Sequence, residues 1–313
     1  MDLIKLLIVL LEVLFLLMVS PLLTGVVRRV KSWMQCRSGP SVLQPYRDLW
    51  KLFRKSTVAS REASWLFLLI PYVCLGAMLC LSVIVPVFSA GPAGKTGDML
   101  AAVYVLGLFR FMMVLGGLEG GSSFGGMGSS REMMISAIVE PTLLLSIFSV
   151  AAISGSTDLS FISGFFASSG AEALSPSQFL AAAAISISLL AENSRVPFDN
   201  PATHLELTMV HEGMLLEYSG RELGMMELAS QLRLTLFMVI LSNVFFPWGI
   251  ALGTGVGELA LGAGSIALKL LLISAGLAMV ESVMAKMRLF RLPNLLTISF
   301  TLSLLAVMSY YIL

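Results

Sequence analysis

Residues 231–252 read QLRLTLFMVILSNVFFPWGIAL, a run of 22 predominantly apolar residues. A helix that crosses a bilayer needs about 20 such residues. The run closes on Phe246, Pro247 and Trp248, two aromatic residues around a helix breaker, which suit the headgroup region of a membrane. This stretch therefore predicts a membrane-spanning helix.

The composition of the whole chain also indicates a membrane protein. Of its 313 residues, 57% are hydrophobic and only 12% are charged, and the mean hydropathy is +0.90. A soluble domain carries about 25% charged residues, so a soluble enzyme, a secreted disulfide module and a disordered tail are excluded. The net charge of +1 provides no excess of positive charge that would indicate nucleic-acid binding. The three cysteines form no CxxC pair, which argues against a zinc site or an iron–sulfur cluster held by this chain.

We predict an all-α integral membrane protein with about eight transmembrane helices and one amphipathic interfacial helix, in a single polytopic domain over residues 1–313. The predicted spans lie near residues 4–24, 65–88, 98–118, 132–153, 177–193, 231–252, 265–285 and 293–313. The fifth span is the shortest. The amino terminus lacks the charged region and cleavage site of a signal peptide, so we expect the first span to be retained.

Lysine and arginine are concentrated in alternate connections between these spans. Fifteen of them lie in the connections 25–64, 119–131, 194–230 and 286–292, whereas the other connections hold one. Positively charged loops stay in the cytoplasm. The sequence therefore predicts that these four loops are cytoplasmic and that both termini lie on the outer side.

The first cytoplasmic loop contains a candidate amphipathic helix. Tyr46, Leu49, Trp50 and Phe53 share one helical face, and basic residues occupy the other. Such a helix lies in the interface plane of a membrane, and it can also dock a partner; both interpretations stay open. The candidate docking residues are Arg47, Asp48, Lys51 and, in the second loop, Arg131.

The second loop, residues 119–131, is rich in glycine and serine. Glycine permits close backbone approach and positive φ angles. The loop is therefore either a flexible connector or a segment packed against a partner protein.

The third loop, residues 194–230, is acidic, which is unusual for a cytoplasmic loop. Leucine and methionine residues are interleaved with the acids, so we expect the segment to fold against the membrane face. Counting Glu192 at the edge, its acids are Glu192, Asp199, Glu206, Glu212, Glu217, Glu222 and Glu227, opposed by Arg195 and Arg221. His204 and His211 share a helical face, but no third ligand stands at helical spacing, so ordinary or proton-relay histidines are favoured over a metal site.

Several ionisable residues fall within or at the edge of predicted spans. Each costs about 2.5–3.5 kcal/mol at a helix centre, so they must pair, face the bundle interior or line water. Acids outnumber bases, so at least two carboxylates are expected to lack a basic partner. A proton path and plain structural pairing both remain open. The residues are Glu12, Arg110, Glu140, Glu192, Lys269 and Glu281.

The string LAENSRVPFD at residues 190–199 resembles the LAExxRxPFD motif of the subunit 1 family of respiratory complex I. Leu205-Glu206-Leu207 and Glu217-Tyr218-Ser219-Gly220 follow in the family's order. In the first loop, Pro40, the LQP of residues 43–45, Asp48 and Lys51-Leu52 match the family as well. The resemblance covers nearly the whole chain.

Within that family, the chain is more similar to the energy-converting (group 4) NiFe hydrogenases, including formate hydrogenlyase. The strings that carry this similarity are GLEGGSSF at 117–124, SRE at 130–132, VEPTLLL at 139–145, EYSG at 217–220 and QPYRD at 44–48. Ala202 and His204 stand where the complex I pattern has acids on the quinone-chamber side, which weakens the case for quinone chemistry.

The resemblance implies a non-catalytic coupling subunit in the cytoplasmic (inner) membrane of a prokaryote. Its implied partners are the large and small subunits of a NiFe hydrogenase, an iron–sulfur subunit and antiporter-like membrane subunits, with the NiFe centre and the iron–sulfur clusters held by those partners. The alternative is the quinone-site subunit of a complex I-like NADH:quinone oxidoreductase, with a cavity entered from lipid near Arg195, Asp199 and Glu206. A stand-alone ion transporter is a third class, disfavoured by the matched motifs.

The resemblance also suggests a coupling element in the third loop. Reduction of a nearby cluster adds negative charge, which raises carboxylate pKa values and draws a proton into the loop, from which Glu140 and Glu281 pass it laterally. Alternatively, these acids only hold the loop and the docking surface. The proposed coupling residues are Glu140, Glu192, Arg195, Asp199, Glu206, Glu212, Glu217, Tyr218 and Glu281.

Overall fold

The part of the chain that the structure describes is mostly α-helical. The computed structural model describes residues 3–58, 60, 63–90, 97–169, 175–199, 209–251, 253 and 255–312. Its helices are α1 (Leu3–Met34), α2 (Gln44–Arg54), α3 (Trp65–Ile84), α4 (Met99–Glu119), α5 (Ser123–Ser154), α6 (Leu159–Ser169), α7 (Pro176–Glu192), α8 (His211–Leu215), α9 (Gly220–Phe245), α10 (Val256–Val283) and α11 (Leu292–Ile312).

Seven of the helices in the described part of the chain are long and apolar enough to cross a membrane, namely α1, α3, α4, α5, α9, α10 and α11. The fifth predicted span corresponds to α7, which has 17 residues and so extends about 25 Å, somewhat less than the hydrocarbon core. The predicted fold class, an all-α multi-pass membrane protein, is confirmed.

The connections gather at the two ends of the bundle. At one end, Ala90 and Ala251 are joined by a backbone hydrogen bond of 2.9 Å, and Leu159 donates to Gly97 at 2.8 Å. The other end, here called the basic end, consists of residues 35–58, 120–122, 193–199, 209–219 and 284–291. There the Met287 N–H donates to the Pro197 carbonyl at 3.0 Å, which fastens the start of the acidic loop to the chain that leaves α10.

Helix α9 is the centre of the bundle. It packs against α1, α2, α3, α6, α7 and α10, and every residue from Gln231 to Phe245 is buried. Helices α4, α5, α7 and α11 pack against one another on one side of it, whereas α10 packs chiefly against α1 on the other. The run of sequence from which the membrane assignment starts is therefore enclosed by protein rather than by lipid.

Several helices extend beyond the predicted spans. The end of α1 takes up residues 25–34, the start of α9 takes up 220–230, and the start of α10 takes up 256–264, all predicted as connections. The hydrophobic window ends where the hydrocarbon core ends, but the backbone hydrogen bonds of a helix continue past that boundary. In addition, α6 lies within the predicted connection 154–176.

The glycine-rich segment 119–131 is mostly helical, so its interpretation as a flexible connector is wrong. Only residues 120–122 separate α4 from α5, and Gly121 adopts a φ of 67° in this turn. The Ser122 hydroxyl caps α5 by accepting a hydrogen bond from the Gly125 N–H at 3.1 Å. The small residues are needed because the two helices approach closely: a Cβ on Gly125 would overlap the Gly117 carbonyl oxygen.

Helix α2 confirms the predicted amphipathic segment but not all of its buried face. Pro45 and Leu49 are buried, and the Tyr46 hydroxyl donates to the carbonyl of Met18 on α1. Trp50, which was expected beside them, is 65% exposed and lies 5.0 Å from the Arg54 guanidinium. The outer face of α2 is therefore both basic and aromatic.

The close approach of α4 and α5 predicts a difference between two adjacent glycines. Gly125→Ala is expected to lower stability by about 1–3 kcal/mol, because overpacking a helix contact forces the backbones apart. Gly126→Ala meets nothing within 4 Å and should leave stability unchanged or raise it by up to about 1 kcal/mol, since alanine is the better helix former. Thermal unfolding midpoints of the two variants in detergent check this; equal midpoints would contradict the close approach.

Candidate functional site

A buried arginine in the middle of α4 organises the charged interior. Arg110 is 2% exposed, and three carboxylates surround its guanidinium. Glu192, at the end of α7, contacts its NH2 atom. Glu132 and Glu140 on α5 lie 3.8 Å from Nε and 3.3 Å from NH1 respectively. One cation thus fastens three helices, α4, α5 and α7.

The link from Arg110 to Glu140 is reinforced by a serine. The guanidinium donates to the Ser136 hydroxyl at 2.6 Å, and that hydroxyl donates to Glu140 Oε1 at 2.9 Å. The Glu140 side chain is 45% exposed, although the residue lies near the middle of α5. The cluster therefore opens laterally at Glu140, on the outer face of the bundle.

A second buried guanidinium lies beside this cluster. Arg233 of α9 is 3% exposed and stands over the Phe109 ring, 4.8 Å from its centroid. It interacts electrostatically with Glu192 and Glu132. Among the described residues, Arg233 Nε and Glu132 Oε2 have no hydrogen-bond partner, which marks polar space that water can fill.

A cavity of about 740 Å³ lies at the basic end and reaches Arg233. It is bordered by α1, residues 193–199, α8, α9 and α10, and half of its lining side chains are ionisable. Those side chains are Arg28, Lys31, Arg37, Arg195, Asp199, His211, Glu212, Glu227, Arg233 and Glu281.

Ion pairs connect the walls of this cavity. Glu281 of α10 is 5% exposed and lies 3.1 Å from Lys31 Nζ and 3.2 Å from Arg195 NH1. Asp199 is 2.6 Å from Lys286 Nζ and accepts the Val210 N–H at 2.9 Å. The loop that carries the LAENSRVPFD string is thus held to both sides of the α10 terminus, and α1 joins the same network because Lys31 shares Glu281 with Arg195.

The expectation that at least two span carboxylates lack a basic partner is wrong. Glu281 obtains its cations from Lys31 and Arg195, which the sequence places outside the spans. Glu140 and Glu192 share Arg110. Glu12 has no cationic partner among the residues that the structure describes, but it accepts three hydrogen bonds, from the Phe88 and Ser89 N–H groups and the Ser89 hydroxyl, at 2.9–3.2 Å.

The structure separates the predicted coupling residues into groups. Arg195, Asp199, Glu212 and Glu281 line the cavity, whereas Glu140 and Glu192 belong to the Arg110 cluster. Glu206 and His204 lie outside the described residues.

The remaining two predicted coupling residues lie elsewhere at the basic end. Tyr218 stacks on Phe67 with ring centroids 4.1 Å apart and donates to the Phe67 carbonyl at 3.3 Å. Glu217 is exposed and rests against Gly120.

The predicted docking residues also differ in surroundings. Arg47 and Lys51 are exposed on α2. Asp48 faces Arg28 at 3.8 Å, and Arg131 donates to the Met209 carbonyl at 3.3 Å, so both stabilise the fold of the chain itself.

Sequence reasoning missed Glu132, Arg233 and Lys31 as members of the charged interior. A signal was present for two of them: Arg233 is the third residue of a predicted span, and Glu132 is the first residue of another. Lys31 carried no such signal, because it appeared to be one of many basic loop residues.

His211 stands at the wall of the cavity. Its Nε2 atom lies 3.2 Å from the Ser230 hydroxyl. Burial, followed by the nearby Arg233 guanidinium, lowers the pKa of His211 from 6.5 to about 3. The imidazole is therefore neutral at physiological pH.

Membrane-spanning helices, a charged cavity and buried ion pairs define a polytopic membrane protein with a charged interior. The family model described as NADH dehydrogenase matches residues 5–311. The chain belongs to this family, in its complex I subunit 1 type.

Relatives and a solved structure agree with that assignment. The chain is 34% identical to hydrogenase-4 component C of Escherichia coli, over 94% of this chain and 92% of that protein. It is 34% identical to formate hydrogenlyase subunit 4 of the same organism, over 96% of this chain and 97% of that protein. Its fold is similar to a chain of the membrane-bound sulfane sulfur reductase, an archaeal respiratory membrane complex, with a TM-score of 0.83, 20% identity and coverage of 98% and 99%. The chain is a membrane subunit of a complex I-like complex.

The ion pairs of Arg110 predict that a second substitution partly restores the stability that is lost when Arg110 is replaced. Arg110→Met should cost about 3–5 kcal/mol, because it leaves buried carboxylates without a cation. Adding Glu192→Gln removes one of those charges and should recover part of the loss. The yield of monodisperse protein and the thermal midpoint in detergent report this, with Arg47→Met as the matched surface control. A double variant no better than Arg110→Met would refute the ion-pair assignment.

The lowered pKa of His211 predicts acid sensitivity. At pH 7.5 the imidazole is neutral in both states; as the pH falls below about 6.5 the unfolded chain takes up a proton that the folded protein excludes, so stability is lost. Between pH 6.5 and 5 the loss should be about 1–2 kcal/mol. His211→Gln should show a flatter decline of the thermal midpoint over this range, and a decline as steep as that of the unmodified protein would contradict the assignment.

Proposed function

We propose that this chain is the membrane-anchoring and coupling subunit of an energy-converting NiFe hydrogenase of the hydrogenase-4 or formate hydrogenlyase type. The two 34% identical relatives, matched over more than nine-tenths of each chain, support this branch, as do the GLEGGSSF, VEPTLLL and EYSG strings. The protein resides in the cytoplasmic membrane of a prokaryote. The basic end faces the cytoplasm and both termini face outward, in keeping with the distribution of lysine and arginine.

The redox chemistry belongs to partner subunits in this proposal. The large and small hydrogenase subunits hold the NiFe centre, and an iron–sulfur subunit docks at the basic end, above the cavity. Antiporter-like membrane subunits lie beside the bundle. The exposed Arg47 and Lys51 on α2 suit an acidic partner surface or lipid headgroups at the membrane border.

The observation that carries the coupling role is the succession of charged side chains from the cavity to the bilayer face at Glu140. Lys31, Arg195 and Glu281 line the cavity, Arg233 reaches from it towards Glu192 and Glu132, and Arg110 joins these acids to Glu140. The lateral opening at Glu140 gives a proton a way out of the bundle towards a neighbouring subunit.

Electron transfer at the basic end supplies the driving force. A charge added at about 6 Å, with an effective dielectric constant near 20, is worth roughly 3 kcal/mol, or about two pKa units. An added negative charge favours the protonated form of carboxyl groups near it, which gives the direction of proton uptake in this proposal. The ion pairs of Glu281 and Asp199 with Lys31, Arg195 and Lys286 would rearrange with it, since each of them depends on a charged carboxylate.

Quinone binding is the second candidate function, and the cavity volume favours it. About 740 Å³ at the basic end accommodates a drug-sized molecule. The lining is far more charged than the mostly apolar pockets that small ligands occupy. The charged lining therefore supports proton handling over quinone reduction.

Conversion of glutamate to glutamine tests the coupling role. Glu140→Gln and Glu192→Gln keep the shape of the side chain but remove the titrating group. In the purified complex returned to liposomes, each variant should retain at least about half of the hydrogenase rate while the proton or sodium gradient falls about tenfold or more. Glu258→Gln, on the exposed first turn of α10, is the matched control and should change neither quantity.

Two outcomes would overturn parts of this proposal. If the assembled variants keep both the rate and the gradient, the acids are structural and the coupling role is wrong. If the purified complex contains no NiFe large subunit but reduces quinone, the second candidate function replaces the first.

A further inference from the structure

The connection between α10 and α11, residues 284–291, carries an exposed aromatic side chain between two exposed arginines. Phe290 is 91% exposed, and Arg288 and Arg291 are exposed beside it. Neither guanidinium forms a hydrogen bond or an ion pair within the part of the chain that the structure describes. A surface that is apolar and cationic at once suits the border between water and hydrocarbon.

A single 3-10 turn brings the two arginines together. The turn spans Leu289–Arg291, and the Arg291 N–H donates to the Arg288 carbonyl at 2.9 Å. A backbone hydrogen bond between residues three apart keeps their Cα atoms within about 7 Å of each other. The two guanidinium groups can therefore reach the same anion.

Contacts at the outer end of α10 fix the depth of this connection. The Ser265 hydroxyl donates to the Gly249 carbonyl at 2.8 Å, next to the aromatic residues that the sequence assigns to the headgroup region. Lys269 lies one turn further along, so its amine reaches that outer layer along its own stem. From Ser265 to Val283 the helix rises about 27 Å, which is close to the thickness of the hydrocarbon core. Residues 284–291 therefore lie in the opposite headgroup layer.

Helix α11 gives the same depth independently. It begins at Leu292, directly after the connection, and its 21 residues extend about 30 Å. This helix thus crosses the core once, starting from the layer in which α10 ends. Both helices place the connection at the surface of the membrane rather than above it.

The connection also stands at the edge of the bundle. Helices α10 and α11 are the least buried of the seven spanning helices in the described part of the chain. Val283, the last residue of α10, is 80% exposed. The arginines and Phe290 are therefore next to lipid, at the depth of the phosphate groups and the upper acyl chains.

We propose that the α10–α11 connection binds an anionic phospholipid, whose phosphate lies between Arg288 and Arg291 and whose acyl chains pack on Phe290. Guanidinium groups bind phosphate oxygens through charge-assisted hydrogen bonds, and an exposed aromatic ring at this depth contacts acyl chains. A dissolved anion would satisfy the arginines alone, whereas a phospholipid satisfies the arginines and the ring together. The proposal rests on the fold and its depth in the membrane, and so it does not depend on the hydrogenase assignment.

The bound lipid would also steady the acidic loop. Lys286 of the same connection forms the ion pair with Asp199, and the Met287 N–H donates to the Pro197 carbonyl. The lipid would hold the segment to which the start of this loop is fastened. We therefore expect phosphatidylglycerol to raise the thermal midpoint of the protein in detergent.

Charge variants at the two arginines test the lipid site. The protein is purified in mild detergent with phosphatidylglycerol, and the lipid that stays bound is counted by native mass spectrometry. The pair Arg288→Gln and Arg291→Gln should weaken retention of one phosphatidylglycerol about tenfold or more, because two charge-assisted hydrogen bonds are lost. The pair Arg288→Lys and Arg291→Lys keeps the charge and should retain most of this lipid.

A matched control separates this site from general attraction between positive charge and anionic lipid. The pair Lys55→Gln and Arg221→Gln removes two exposed charges from α2 and from the start of α9, and it should leave retention unchanged. An equal loss in this control, or no loss in the glutamine pair at residues 288 and 291, would overturn the proposal. A thermal midpoint raised as much by inorganic phosphate as by phosphatidylglycerol would also overturn it, in favour of a site for the phosphate ion.

A photo-crosslinking residue in place of Phe290 identifies the occupant in the whole complex and in its native membrane. The expected product is this chain carrying a phospholipid, enriched in anionic over zwitterionic species relative to the membrane. This enrichment should disappear in the background of Arg288→Gln and Arg291→Gln. A product that joins this chain to another protein, or the absence of a lipid adduct, would refute the proposal.

Discussion

The fold depends on the guanidinium of Arg110. Three carboxylates from α5 and α7 lie around it, in a region where an isolated charge of either sign is costly. Removing the cation would leave the acids facing one another, and removing the acids would leave a buried cation. Helices α4, α5 and α7 therefore pack together only when Arg110 and the carboxylates pair, because an unpaired buried charge of either sign would be too costly.

The centrality of α9 turns this local cluster into a feature of the whole molecule. Arg233 projects from α9 towards the acids of the Arg110 cluster and also borders the cavity. Because Arg233 is buried between the cavity and these acids, a change of charge at the cavity wall alters the electrostatic environment of Glu132 and Glu192. In the coupling role proposed above, the basic end and the lateral surface communicate electrostatically, with no requirement for a large movement of helices.

The class of fold followed from composition, since only a bilayer can accommodate a chain with so few charges. Helix ends were less predictable: hydropathy reports the hydrocarbon boundary, while α1 and α9 continue past it because their backbone hydrogen bonds do. The pairing of Glu281 with Lys31 joins residues 250 positions apart, and no local pattern encodes it. Glu192, Arg195 and Asp199 belong to a recognisable motif, whereas Arg233 is a single charge in a span rich in leucine and phenylalanine, and no local pattern shows which acids it faces.

The complete burial of α9 from Gln231 to Phe245 has a consequence for how the protein can change over evolutionary time. A helix with a lipid-facing stripe tolerates exchange among apolar residues on that stripe, because fluid acyl chains adapt to any shape. Helix α9 has no such stripe between Gln231 and Phe245, so each side chain there packs against a neighbouring helix. A change in side-chain volume therefore disturbs the packing whichever way the side chain points. Substitutions should accumulate around the outer faces of α10 and α11 while α9 drifts slowly, and only in step with its neighbours.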